Sequence, residues 1–104
     1  MRVIYLEPAR RDLERLRDFL CDGGVSRERA NRIVSTIVAG VRILENNPHV
    51  GFSFGGKYGF TTPYRGLVVG TYIVVYEVLA KQVEVRRIYS GRENYLQELS
   101  RGGS

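Results

Sequence analysis

The chain has 104 residues, 43% of them hydrophobic and 26% charged, with 16 Lys+Arg against 11 Asp+Glu and a net charge of +5. One core fits in that length and the mixture excludes global disorder, so a single domain is expected over residues 1–100, with a frayed tail at 101–104. One cysteine excludes an internal disulfide, a single histidine argues against Ser-His-Asp catalysis and His-based metal sites, and no apolar run approaches the ~18 residues of a membrane span. No metal or cofactor is expected.

Residues Arg2 to Leu6 are β-branched and aromatic and predict a strand. They turn polar too soon for a secretory signal, so a cytoplasmic location is the expectation. Pro8 suits the first turn of a helix. From it Ala9, Leu13, Leu16 and Leu20 recur at helical spacing, with Phe19 on the same side and Arg10, Arg11, Asp12, Glu14, Arg15, Arg17 and Asp18 opposite. Gly23-Gly24 ends this helix. Ser26 is a good N-cap for a second one, with a wider stripe of Ala30, Ile33, Val34, Ile37, Val38, Val41 and Leu44. Asn46-Asn47-Pro48 stops it. The pair reads as a helical hairpin.

In residues 48–63, glycines at 51, 55, 56 and 59 alternate with Phe52, Phe54, Tyr58 and Phe60, a long loop with room for a ragged strand. The sequence then turns β: Leu67-Val68-Val69, Thr71 to Leu79, and Gln82 to Tyr89. A two-residue turn at Ala80-Lys81 sets Val78 opposite Val83, Tyr76 opposite Val85, Val74 opposite Arg87 and Tyr72 opposite Tyr89. That face is directed at the helices. Ile73, Val75, Glu77, Glu84, Arg86 and Ile88 then form a mixed face open to solvent or a partner. Ser90 and Glu93 make a capping box for a short closing helix with Tyr95, Leu96 and Leu99. The fold class is α+β in the order β-α-α-β-β-β, a helical hairpin packed on a mostly antiparallel sheet.

Few residues carry chemistry. The Gly-rich segment lies between a helix and a strand, the reverse of a phosphate loop, and lacks G-K-[ST]. His49 follows a helix C-terminus and has no identifiable orienting partner. Cys21 sits near a helix C-terminus, where the dipole disfavours a thiolate. The charge on the helices is largely balanced, with Arg10, Arg11, Arg15, Arg17, Arg27, Arg29, Arg32 and Arg42 mixed among six acids. The informative cations are Arg65, Arg86, Arg87 and Arg92, around the last strands. Arg87 also suits a place at the helix–sheet border, and Arg86 suits an ion pair with Glu77 or Glu84.

The segment from Arg65 to Tyr76 resembles the R-x-L-x-x-x-x-Y-x-I/V-x-Y block of ParE-type toxins, within the wider RelE/ParE superfamily. Val83-Glu84-Val85-Arg86-Arg87-Ile88-Tyr89-Ser90-Gly91-Arg92 is similar to the V-x-V-x-R-I-L-H-G-x-R-D strand and exit, with Ser90 where the His stands. Leu6-Glu7-Pro8-Ala9 with Asp12-Leu13, and Leu44 to Gly51 with its L-x-x-x-P-x-x-G pattern, match the family upstream. The likeness covers nearly the whole chain. It implies a type II toxin that inhibits DNA gyrase by non-catalytic binding. An acidic antitoxin would neutralise it, a ribbon-helix-helix protein with a disordered C-terminal segment that folds on binding. No sequence-specific nucleic-acid binding is expected. The implied target-binding residues are Arg65, Arg86, Arg87, Tyr89 and Arg92. The implied antitoxin-binding residues are Leu13, Leu16, Leu20, Ile73, Val75 and Arg86. The alternative is a RelE-like mRNA endoribonuclease, with Arg65, Arg86, Arg92 and Tyr95 as its catalytic set. Against it, Ile73 stands where the nucleases carry an Arg, and Ile cannot stabilise charge developing on a phosphate. A third reading is an antitoxin-binding module without toxicity.

Overall fold

The computed structural model describes residues 1–59 and 61–91. Its elements are β1 (Arg2–Tyr5), α1 (Glu7–Asp22), α2 (Arg27–Val41) with a 3-10 turn at Arg42–Glu45, β2 (Phe52–Ser53), α3 (Phe54–Tyr58), β3 (Arg65–Val69), β4 (Tyr72–Val78) and β5 (Gln82–Ser90). Ser90, the first residue of the expected capping box, ends β5, while Glu93, the closing helix and the tail lie outside the described residues.

Local chemistry places each helix. Pro8 stands in the first turn of α1, where its missing N–H costs no hydrogen bond, and Glu7 favours the positive end of the dipole. At the far end the Gly23 amide donates to the Phe19 carbonyl at 3.0 Å. Ser26 caps α2, its Oγ accepting from the Arg29 amide at 3.2 Å. Ser53 does the same for the single turn of α3, accepting from Gly56 at 3.1 Å.

The five strands order as β1-β5-β4-β3-β2. β1 runs parallel to β5 and the other pairs are antiparallel. The helical hairpin covers one face. There Ala9, Ile37, Val41 and Leu44 pack with Val74, Tyr76, Val83, Val85 and Ile88 as the main core. Burying each larger aliphatic side chain contributes about 1.5–3 kcal/mol, which far exceeds intrinsic helix propensity.

Three sequence expectations change. The predicted β4–β5 register holds at Val78–Val83 and Tyr76–Val85, then slips: Val75 pairs with Arg87, leaving Arg86 as an extra residue in β5. This bulge exchanges the faces of the last residues, so Ile88 joins the helix-side core and Tyr89 the opposite one. The opposite face is also not open at its centre. Phe54 is fully buried there with Ile73, Val75 and Tyr89, and Phe52 and Tyr64 pack around them. Residues 48–59 of the expected loop therefore fold as a strap over the sheet, built from β2 and α3. Finally, Phe19 and Val38, expected in the apolar stripes, are exposed at 74% and 36%.

Candidate interaction site

The strand β1 stops at Tyr5, but β5 runs on to Ser90. Past that point α1 takes the place of the missing strand. Asp12 accepts from the Ile88 amide at 2.9 Å and from Arg87 through Nε at 2.8 Å and Nη2 at 3.1 Å. One carboxylate thus satisfies a strand-edge amide and a guanidinium fork together. The Asp12 side chain is 7% exposed. The Arg87 guanidinium also lies over the Tyr89 ring, 4.9 Å from its centroid.

Beside this junction a groove of about 1180 Å³ opens between α1, the β3–β4 turn and the end of β5. Leu16, Phe19 and Leu20 line it from α1 and Val68 and Tyr72 from the sheet, with Ile73, Ile88 and Tyr89 more buried. Arg15, Arg87 and Asp12 supply its charge. Arg15 is exposed and has no ion pair among the described residues. Phe19 and Val68 are 74% and 58% exposed, an apolar rim of the kind that marks a partner surface. β2 pairs only with Arg65 and Gly66, so Leu67 to Val69 meet no strand on their outer side among the described residues.

On the strap side Arg86 is held by acids. Its Nη2 donates to Glu77 Oε1 at 2.6 Å and lies 3.4 Å from Glu84 Oε1, and Gln82 donates to Glu84 Oε2 at 2.8 Å. Glu77 and Glu84 face each other across β4 and β5, so Arg86 neutralises two opposed carboxylates. The Arg86 guanidinium also sits 5.2 Å from the Tyr64 ring centroid.

Arg65 turns inward to the loop after α2. Its Nη2 donates to the His49 carbonyl at 2.9 Å and to the Gly51 carbonyl at 2.6 Å. The His49 side chain is exposed. Burial pushes the Tyr5 hydroxyl up to about 12 from an ordinary 10.0, and that hydroxyl has no hydrogen-bond partner among the described residues. Among the described residues no group of three or more His, Cys, Asp and Glu is placed to hold a metal ion, and no helix is long and apolar enough to cross a membrane.

A family model described as the ParE toxin of type II toxin–antitoxin systems, parDE, matches residues 3–95. The chain belongs to the ParE toxin family. A solved structure described as the chromosomal ParDE TA system from P. aeruginosa has a TM-score of 0.73 to this chain at 21% identity, covering 86% of this chain and 95% of that one. It shares the fold. Among curated protein sequences no match is found.

Against this ParE frame the expected site residues separate. Leu16 and Leu20 line the groove, while Leu13 packs against the core. Ile73 and Val75 lie under the strap, 9% and 0% exposed, and Tyr89 is 1% exposed. Arg65, Arg86 and Arg87 are engaged by carbonyls and carboxylates of the chain itself. Arg92 and Tyr95 lie outside the described residues. Sequence reasoning missed Asp12 as a strand-edge acceptor and Phe19 as a rim residue. Asp18 beside Phe19 was the available sign, since it sets that position at the border of the apolar arc.

Proposed function

We propose that this ParE-family toxin acts by binding rather than by cutting: it inhibits DNA gyrase without catalysis, and a cognate acidic antitoxin neutralises it. The observation that carries this reading is the state of the cations. A nuclease built on Arg65 and Arg86 needs guanidinium groups available to a phosphate. Here Arg65 holds two loop carbonyls and Arg86 holds two glutamates. A phosphate at Arg86 would compete with carboxylates already 2.6 and 3.4 Å away.

The groove suits the antitoxin. An apolar wall of Leu16, Phe19 and Leu20 with Arg15 beside it favours an amphipathic acidic segment, and the net charge of +5 steers such a partner. A ribbon-helix-helix protein with a disordered C-terminal segment has that chemistry, and the segment orders as it binds. Gyrase contact is assigned to the exit of β5, from Arg87 through Gly91 to Arg92. A gyrase target means a cytoplasmic location.

The test pairs two assays on the purified toxin. With gyrase, ATP and plasmid, the expected result is lost supercoiling or accumulated cleaved DNA. In a translation reaction the expected result is intact mRNA. Codon-position cuts with unaffected gyrase overturn the proposal in favour of a ribosome-dependent nuclease. Inactivity in both, with antitoxin still bound, overturns it in favour of a binding module without toxicity.

A further inference from the structure

We infer that Asp12 is a positioning residue for the groove, setting its width and the place of Arg87 without itself contacting the partner. The inference rests on the reading of the groove as the antitoxin site. At 7% side-chain exposure Asp12 is too enclosed for a direct contact, yet its carboxylate lies where α1 meets β5. It belongs to α1, and Leu16, Phe19 and Leu20 follow at i+4, i+7 and i+8, on the same helix face. Its acceptors hold β5 at two consecutive residues, the Arg87 fork and the Ile88 amide.

Two features make the arrangement specific. The bulge at Arg86 shifts the ladder just before Arg87, and from there to Ser90 β5 is paired with β4 on one edge while Asp12 of α1 holds the other. β1 has also ended, so among the described residues no strand is paired with β5 at Ile88 on that side. Asp12 therefore ties α1 to the edge of β5 beyond the end of β1. Asparagine keeps the shape but replaces an acceptor oxygen with a donor facing Arg87, leaving the fork and the amide to share one oxygen. Lysine at 87 keeps the charge and loses the planar fork.

The experiment uses the full-length toxin and the antitoxin purified from the same operon. Asp12→Asn, Arg87→Lys and the double variant are compared with Leu16→Asp. We measure antitoxin affinity, thermal midpoint, and NMR shifts of the Leu16, Leu20 and Ile73 methyls, with Val83 and Val85 as core references. Asp12→Asn and Arg87→Lys should each weaken binding about tenfold, and the double variant should be no weaker than the worse single, because both act through one contact. The Leu16, Leu20 and Ile73 methyls should shift while Val83 and Val85 do not. A lowered midpoint with unchanged affinity and unmoved groove methyls reduces Asp12 to a structural tie and overturns the inference. So do additive losses. Unchanged affinity in Leu16→Asp strikes the antitoxin reading instead, and the methyl shifts alone then decide whether Asp12 shapes the groove.

Discussion

Arg65 and Tyr76 face each other across β3 and β4 and grip the same residue, Gly51, from two sides. The Tyr76 hydroxyl accepts from the Gly51 amide at 2.9 Å while Arg65 Nη2 donates to the Gly51 carbonyl at 2.6 Å. Arg65 and Tyr76 open and close one block of the family-like pattern, and Gly51 ends another. Their convergence gives those blocks a structural reason: they anchor the start of the strap to the sheet.

Gly51 admits no side chain. An added Cβ would meet the Gly66 carbonyl oxygen and come within 2.6 Å of the Tyr76 hydroxyl. Gly51→Ala should destabilise the fold by about 3 kcal/mol, through overpacking against backbone that cannot yield. Tyr76→Phe leaves the buried Gly51 amide without its acceptor and should cost about 1–3 kcal/mol. Urea unfolding monitored by circular dichroism measures both. Wild-type stability in Gly51→Ala would show that the loop takes another path.

Tyr5 gives a pH signature. Its hydroxyl is buried without a hydrogen-bond partner among the described residues, and burial raises its pKa to about 12. Between the ordinary value of 10.0 and about 12 the folded protein keeps a proton that the unfolded chain has lost. Stability from this group is therefore fully present below pH 10 and declines as pH rises towards 12. Tyr5→Phe should remove that part of the alkaline decline. It should also be neutral or stabilising by about 1 kcal/mol at pH 7, since no hydrogen bond is lost and an unsatisfied group is removed. Thermal scans from pH 7 to 11 on both proteins give the comparison, and an equal alkaline decline in Tyr5→Phe would refute the assignment.

Arg86 separates two glutamates. Arg86→Met should leave Glu77 and Glu84 opposed across the strands and cost about 1 kcal/mol. Adding Glu84→Gln should restore part of that loss, and salt should help the single variant more than wild type because it screens the repulsion. Denaturant midpoints at low and high salt provide the check. A midpoint for Arg86→Met that salt does not move would mean the two carboxylates do not interact.

How much of this was legible in the sequence depends on what sets each feature. Helix limits follow from local chemistry, so Pro8, Ser26 and Gly23 mark them by type alone. The β4–β5 register was readable only as far as Tyr76–Val85, because a bulge adds one residue without changing the apolar pattern. That single residue moved Ile88 and Tyr89 to opposite faces. Aromatic spacing in the Gly-rich segment could not show that Phe54 folds back over Ile73 and Val75, since that contact is set by a distant sheet face. The ion pair of Arg86 with Glu77 and Glu84 and the place of Arg87 at the helix–sheet border were legible, because cross-strand neighbours and strand ends follow from the pattern, but the individual long-range partners were not. Arg65 beside Gly51, and Arg87 beside Asp12, are contacts between residues far apart in the chain, so charge and spacing alone do not reveal them.

Phe19 supplies the sharpest separation of binding from folding. It sits on α1 next to Leu20 but is 74% exposed, and it lines the groove together with Val68. A large exposed aromatic contributes little to the fold, so Phe19→Ala should change stability by no more than about 0.5 kcal/mol. An exposed aromatic becomes an anchor when a partner encloses it, so if the antitoxin covers Phe19 the same substitution should weaken binding by about 1–3 kcal/mol. Leu16→Ala should lose on both counts, being half-buried against the core as well as in the groove. Calorimetric affinities set beside thermal midpoints separate the two effects. If Phe19→Ala binds as tightly as wild type while Leu16→Ala does not, the partner approaches from the sheet side of the groove and the α1 rim is not its contact.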